Sequence, residues 1–406
     1  MASSIVERGG MGAALHDTGA EEHHFLPFHY PSIGEEEIAE VVATLRSGWL
    51  TTGQRAVQLE QEFSRLVDAP HALAVNSGTA ALHLALSAGG VRPGDEVIVP
   101  TFTFTATAEA VVYLGARPVL ADVDPVSGNL QPDEVARWIG GRTRAVLPVH
   151  LAGHPCDLDA IGAIAHAAGA VVIDDAAHAL PARLRGRPIG AVADATAFSF
   201  YATKNMTTAE GGMVTTARED WAEFMRLRRL HGLSRDAWKR YTADGSWAYE
   251  VVDVGYKYNL PDVLAAIGLA QLRKLDGFAA ARRALVARYR AALADVDAVG
   301  LPEEPADAES AWHLFVVRLD LDRLRIDRGG VIEELRQLGI GTSVHFIPLH
   351  RHPYYRRVLG ASSREFPGAE DLFARCVSLP LYPAMTGADV DRVADALRDV
   401  VRQHRR

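Results

Sequence analysis

Only four lysines occur among the 42 basic residues of this 406-residue chain, at positions 204, 239, 257 and 274. Any chemistry that needs a primary amine therefore has four candidates. Lys204 differs from the others in context: it follows the apolar run 195–201 and precedes Glu210-Gly211-Gly212. A lysine held against apolar surface gives up its proton more readily and can attack a carbonyl to form a Schiff base. Lys239 sits among charges in WKRY, Lys274 in LRKLDG within a long helical pattern, and Lys257 in the Tyr/Gly turn GYKYN with no strand behind it. Alone, Lys204 also reads as a surface lysine at a strand end.

Three further features fall where ligands of open α/β sheets bind, beyond the carboxyl ends of strands. Asn76-Ser77-Gly78-Thr79 opens the apolar helix AALHLALSA. Free N–H groups and the helix dipole attract an anion there, and Gly78 admits a phosphate closely. By itself the tetrapeptide is a plain N-cap, through Ser77 or Thr79. Asp174-Asp175 ends the run AVVI, and because side chains alternate along a strand, one of the two faces the crevice. A buried carboxylate requires a cationic partner, and a protonated heterocycle nitrogen is one; a solvated strand-end acid is the alternative. Phe104, just past EVIVP, offers a face for stacking on a flat ring, or is a core aromatic. An anion cradle, a stacking face, an acid and an amine together match the phosphate, ring, pyridinium nitrogen and aldehyde of pyridoxal 5′-phosphate (PLP). Neither GxxxxGK[ST] nor a GxGxxG after a strand is present, which leaves a nucleotide-dependent ligase or dehydrogenase without its phosphate loop.

The elements that must position these groups follow from periodicity. Residues 36–46 and 55–67 read as amphipathic helices. Short apolar runs at 96–100, 117–124, 144–150, 170–177, 195–201 and 212–216 are strands, separated by helices at 105–115, 132–140 and 158–169. Such alternation predicts an α/β fold with a mainly parallel sheet covered by helices on both faces. Residues 261–294 read as one long helix, roughly 50 Å at 1.5 Å per residue, joining two bodies. Beyond it, 312–320 and 342–350 are expected strands, and 330–339, 369–377 and 387–403 expected helices. The division is a flexible N-terminal tail at 1–24, a large PLP-binding domain at 25–274 and a smaller C-terminal α/β domain at 275–406.

Composition narrows the setting. With 42 basic and 51 acidic residues, the net charge of −9 argues against a nucleic-acid binder. No run of 18 apolar residues occurs, so no membrane partner is expected. Two cysteines, Cys156 and Cys376, are too few for a disulfide framework or a Cys-only metal site and suit a cytoplasmic protein. His345, His350 and His352 have no acid beside them in sequence; a substrate-pocket or core role suits them better than a metal, and none is expected.

The motifs GWLTTG (48–53), NSGTAALHLAL (76–86), DEVIVPTFTFTAT (95–107), VIDDAAHA (172–179), FSFYATKNMTTAEGG (198–212), GYKYNLPDVLAAIGLAQL (255–272) and SVHFIPLHRHPYY (343–355) stand in one order across the chain. In this the chain resembles the DegT/DnrJ/StrS family of PLP-dependent sugar aminotransferases. The resemblance implies PLP-dependent transferase fold type I (aspartate aminotransferase-like), with pyridoxamine phosphate as intermediate. It implies that Lys204 forms the Schiff base and shuttles the proton, Asp175 pairs with the pyridine nitrogen, and His178 lies near the ring oxygen. Phe104 would stack on the ring, and Gly78, Thr79 and Ser199 would hold the phosphate. A residue of GYKYN, preferably Asn259, would complete the phosphate site of a neighbouring subunit in a homodimer. Many relatives carry Asn where this chain has Lys257, so either residue is a candidate. Thr52, His345 and Tyr354 would line the sugar pocket. The implied reaction moves an amino group from L-glutamate to a keto-sugar, a nucleotide-linked 4-keto-6-deoxy sugar, by a ping-pong mechanism. Alternatives are a 3-keto sugar or cyclitol ketone, or a non-catalytic PLP-binding regulator of the same fold. Family members that dehydrate sugars replace the lysine with histidine; Lys204 favours transamination.

Overall fold

The computed structural model describes residues 25–233, 249–358 and 365–406. The expected tail at 1–24 and Lys239 lie outside the described residues. Helices α1 (Glu35–Ser47) and α2 (Gln54–Leu66) lead into β1 (His71–Val75). Alternation follows: α3 (Gly78–Ala88), β2 (Glu96–Pro100), α4 (Thr105–Tyr113), β3 (Arg117–Ala121), α5 (Pro132–Trp138), β4 (Thr143–Val146), α6 (Leu158–Ala167) and β5 (Val171–Asp175). A short hairpin, β6 (Arg183–Leu184) and β7 (Arg187–Pro188), precedes β8 (Ala195–Ser199), β9 (Gly212–Thr216) and α7 (Glu219–Arg228).

Seven of these strands form one sheet in the order β1-β9-β8-β5-β4-β2-β3. Strand β9 pairs antiparallel with β1 and β8, whereas β8, β5, β4, β2 and β3 pair in parallel. Successive side chains supply two apolar cores, Val97 and Val99 to one face and Ile98 to the other. Burial on both faces is why the strands read as continuous apolar runs. Periodicity does not mark strand β1, which is only five residues long and lies within the nine residues between α2 and Asn76.

Helix α8 (Asp262–Leu293) is continuous over 32 residues. Its first half, with Ala265, Leu269 and Leu275, packs into the core of the large sheet. Its second half, with Leu285, Val286, Tyr289 and Leu293, belongs to a separate core. That core is completed by β10 (Val299–Gly300), β12 (Phe315–Leu319), α9 (Arg328–Gln337), β13 (Cys376–Leu379) and α12 (Gly387–Gln403). Strands β10, β12 and β13 form an antiparallel sheet, while β11 (Ala308–Glu309) joins the β6–β7 hairpin. Helices α10 (Pro353–Val358) and α11 (Pro367–Arg375) lie between α9 and β13 in sequence. Lys274 is tied to α1 through Glu36 and Glu37, and Gln271 Nε2 donates to Glu37 at 2.8 Å.

Two C-terminal expectations are corrected. The strand expected at 342–350 does not form; Ser343 alone bridges Ser378, and 349–351 is a turn of 3₁₀ helix. The apolar residues there do not extend a sheet: Leu349 enters a core of the large sheet, and Val344 and Phe346 pack against it. Pro348, with no N–H, also interrupts any ladder. The helix expected at 369–377 ends at Arg375, because Cys376–Leu379 pairs with β12 at the buried centre of the small sheet.

Candidate active site

The carboxyl ends of β1, β2, β5 and β8 converge on a cavity of about 490 Å³. Its lining includes Gly78, Thr79, Phe104, Asp175, His178, Ser199, Lys204 and His345. These eight expected site residues come from segments more than 260 positions apart, and the sheet brings them together.

The phosphate-type cradle is built by local rules. Ser77 caps α3, its Oγ accepting from Ala80 N–H at 3.1 Å. The N-cap reading is therefore realised, yet it leaves the first-turn amides of Gly78 and Thr79 open, as helix geometry requires. A Cβ on Gly78 would stand 2.9 Å from Ser199 Cβ, so helix start and strand end are in contact. Gly212, which pairs with Ser199 across β8 and β9, abuts Ser77: a Cβ there would lie 2.6 Å from its carbonyl carbon.

The two aspartates separate by strand alternation. Asp174 is fully buried away from the cavity, where its carboxylate meets His150 Nε2 at 2.8 Å. Asp175 faces the cavity and accepts from Thr107 Oγ1 at 2.9 Å and Ala177 N–H at 3.1 Å. Burial raises the Asp175 carboxyl above the usual range, against the pull of those two donors and of Lys204. Lys204 follows a tight turn, its N–H donating to Tyr201 O at 2.9 Å. Burial lowers its ammonium from 10.5 to about 8, and the charge of Asp175 partly opposes this.

Four imidazoles, His29, His178, His313 and His345, also line the cavity. Burial, reinforced by Lys204, holds His178 and His313 well below 6.5 and His345 at about 4. Burial is also the leading cause of the lowering of His29 to about 4. His178 Nδ1 is buried without a hydrogen-bond partner. Phe104 is 58% exposed and leans on Phe346 with ring centroids 5.9 Å apart.

Three expected site residues lie outside this chain's own cavity. Asn259 Nδ2 donates to Thr52 Oγ1 at 2.7 Å, and Thr52 Oγ1 donates to Leu260 O at 2.7 Å. The Asp262 carboxylate receives the N–H groups of Gly53, Arg55 and Ala56, so GWLTTG and GYKYNLPD form one knot that caps α2. Tyr354 stands on α10, 40% exposed, with its ring against Tyr355. His29, His313 and Phe346 were not singled out from sequence; no local pattern marks a side chain that reaches a site from a distant segment. Of the 345–352 histidines, His350 Nε2 meets Glu370, twenty positions on in sequence, at 2.6 Å and its Nδ1 meets Thr101 at 2.8 Å, while His345 turns to the cavity. Among the described residues, no group of three or more His, Cys, Asp or Glu is arranged to hold a metal ion, and no helix is long and apolar enough to cross a membrane.

Residues 31–398 match the model of the DegT/DnrJ/EryC1/StrS aminotransferase family. The spore coat polysaccharide biosynthesis protein SpsC of Bacillus subtilis (strain 168) is 48% identical over 383 residues, 94% of this chain and 98% of SpsC. Among solved structures, the PLP form of the putative sugar aminotransferase Spr1654 from Streptococcus pneumoniae superposes with a TM-score of 0.87 at 34% identity, covering 94% of this chain and 99% of that one. The same protein is also solved in a PMP form. DesV of S. venezuelae, solved in complex with a ketimine intermediate, gives a TM-score of 0.83 at 36% identity, covering 90% and 94%. A family match over most of the chain, and a fold shared with these fold type I enzymes, establish that this chain belongs to the DegT/DnrJ/EryC1/StrS family and is a PLP-dependent sugar aminotransferase.

Proposed function

We propose that the chain moves the amino group of L-glutamate to a nucleotide-linked 4-keto-6-deoxy sugar in two half-reactions with ping-pong kinetics. The observation that carries the reading is the meeting of Lys204, Asp175 and the open amides of Gly78 and Thr79 on one cavity. The residues present fit PLP. The close approach of Gly78 to Ser199 leaves a side-chain-free cradle beside two N–H donors, suited to a phosphate. Asp175 supplies a fixed carboxylate for a ring nitrogen, His178 Nδ1 is an unpartnered polar atom for the ring's periphery, and Phe104 presents a stacking face. When bound, PLP supplies a carbonyl for amine exchange and a protonated ring that stabilises negative charge at the donor's α-carbon.

Lys204 Nζ, with its proton held loosely by burial, is the amine that would hold the cofactor's carbonyl carbon and take up the proton from the donor's α-carbon. Asp175 raises the affinity of the ring nitrogen for a proton, as a neighbouring negative charge must. Ser199, Gly78 and Thr79 would hold the phosphate, and His178 would stand near the ring oxygen. His345, anchored by Ser378 Oγ at 2.9 Å, lies on the sugar side. Tyr354 stands at the rim, since its neighbour Tyr355 bonds Thr105 beside Phe104. The knot holding Thr52 and Asn259, with Lys257 next to it, does not line this chain's own cavity, and we infer a homodimer in which it serves the site of the second copy. A cytoplasmic setting suits Cys156 and Cys376, both buried and free.

The test is to convert the holoenzyme to its pyridoxamine form with glutamate and screen keto-sugar nucleotides and cyclitol ketones for return of the yellow cofactor band. Return with 4-keto-6-deoxy sugars is expected. Return with only 3-keto sugars or cyclitol ketones would replace the proposed acceptor.

A further inference from the structure

Asn205, the residue after Lys204, is buried and makes three hydrogen bonds that settle a proton position. Its Nδ2 donates to Leu180 O and to Ala311 O, both at 2.8 Å. Carbonyl oxygens only accept, so both amide protons are engaged and Oδ1 must face the third partner, His313 Nδ1, at 3.0 Å. Oδ1 only accepts, so His313 carries its proton on Nδ1 and leaves Nε2 bare. The backbone of His313 is fixed as well, N–H to Ala152 O at 2.9 Å and C=O from Arg282 Nη1 at 3.2 Å.

The ring so held lies against His178, centroids 4.3 Å apart, and Phe346 covers His178 at 5.8 Å with an interplanar angle of 23°. With no hydrogen bond at Nδ1, His178 owes its orientation to rings packed against it. One of those rings is pinned by the residue next to Lys204, and the same amide ties down Leu180, two positions after His178.

We propose that Asn205 and His313 are a positioning pair for the transamination site: Asn205 fixes the ring of His313, and His313 fixes the ring of His178 beside Lys204. This rests on the cavity being the PLP site. Asn205 also joins the lysine loop to the 311–313 segment, through Ala311 O and His313 Nδ1.

The experiment is a double-mutant cycle on the PLP-loaded enzyme with Asn205→Ala, His313→Ala and the double variant, read by kcat, KM and the pH titration of the cofactor's visible absorbance. Each single variant is expected to lower kcat about 10- to 100-fold with KM little changed, the range for misplaced groups in a preorganised site, and to shift the absorbance titration. The double variant should be no worse than the poorer single one, as for residues acting through one contact. His313→Phe keeps a ring against His178 but cannot bond Asn205 Oδ1, so it should shift the titration as Asn205→Ala does. A wild-type titration in His313→Ala or in a PLP-binding His313→Phe, or additive losses in the double variant, would each overturn the pairing. Wild-type enzyme that shows no cofactor band would instead overturn the placement of PLP.

Discussion

Replacing Gly78 with alanine isolates the cradle from the rest of the site. The added Cβ would stand 2.9 Å from Ser199 Cβ and 3.4 Å from Ser199 Oγ. Carbon atoms rest at about 3.5–4.0 Å, so the helix start and strand end must part by roughly 0.6 Å or more. Ser199 cannot yield freely, because its partner Gly212 already abuts the Ser77 carbonyl. Overpacking of this kind costs about 1–3 kcal/mol, offset by up to about 1 kcal/mol from replacing glycine in a helix. Net stability of the apoprotein should therefore fall by no more than about 3 kcal/mol. The amides of Gly78 and Thr79 move with the backbone. A hydrogen bond to a charged group contributes about 1.5–3 kcal/mol, so losing one weakens PLP binding about 10- to 150-fold. The assay is PLP titration of apoenzyme by visible absorbance, with the apoprotein's urea midpoint measured in parallel. Wild-type PLP affinity in a folded Gly78→Ala protein would refute the cradle.

Lys204→Ala should leave no borohydride-reducible PLP on the protein; labelling that persists would move the Schiff base to another amine. Capture of PLP by apoenzyme should accelerate with pH with a midpoint near 8, and Asp175→Asn should lower that midpoint, since the Asp175 charge is what raises it; a midpoint near 10.5 in a stopped-flow pH series would contradict burial of the amine. Stability should fall as pH drops from 6.5 towards 4, because His29, His83, His154 and His345 have folded pKa values of about 4 and the unfolded chain takes up protons that the folded chain does not; a urea midpoint unchanged between pH 7 and pH 5 would count against this. Gly277→Ala, at a helical site with nothing within 4 Å of the added Cβ, should stabilise by up to about 1 kcal/mol in urea unfolding.

Local physics made much of this protein legible from its residues. Helix α8 was readable because an unbroken 3.6-residue period without proline can only be helix. That Lys204 and Asp175 meet the crevice is readable because each lies at or just past the end of a buried apolar run, where chain direction alone says that the next residues enter it. The segment 342–350 misled the same logic: its apolar residues face a core, not a strand partner, and periodicity cannot tell these apart. Which of Asp174 and Asp175 enters the cavity was decided by the register of β5 against β8 and by His150, which takes the other carboxylate. The imidazoles around Lys204 come from residues 29, 178, 313 and 345, and only the packing of these distant segments at the large sheet makes them neighbours. Spacing along the chain carries information about groups one turn or one strand apart; contacts across hundreds of residues arise from burial of both cores at once, and no short window records them.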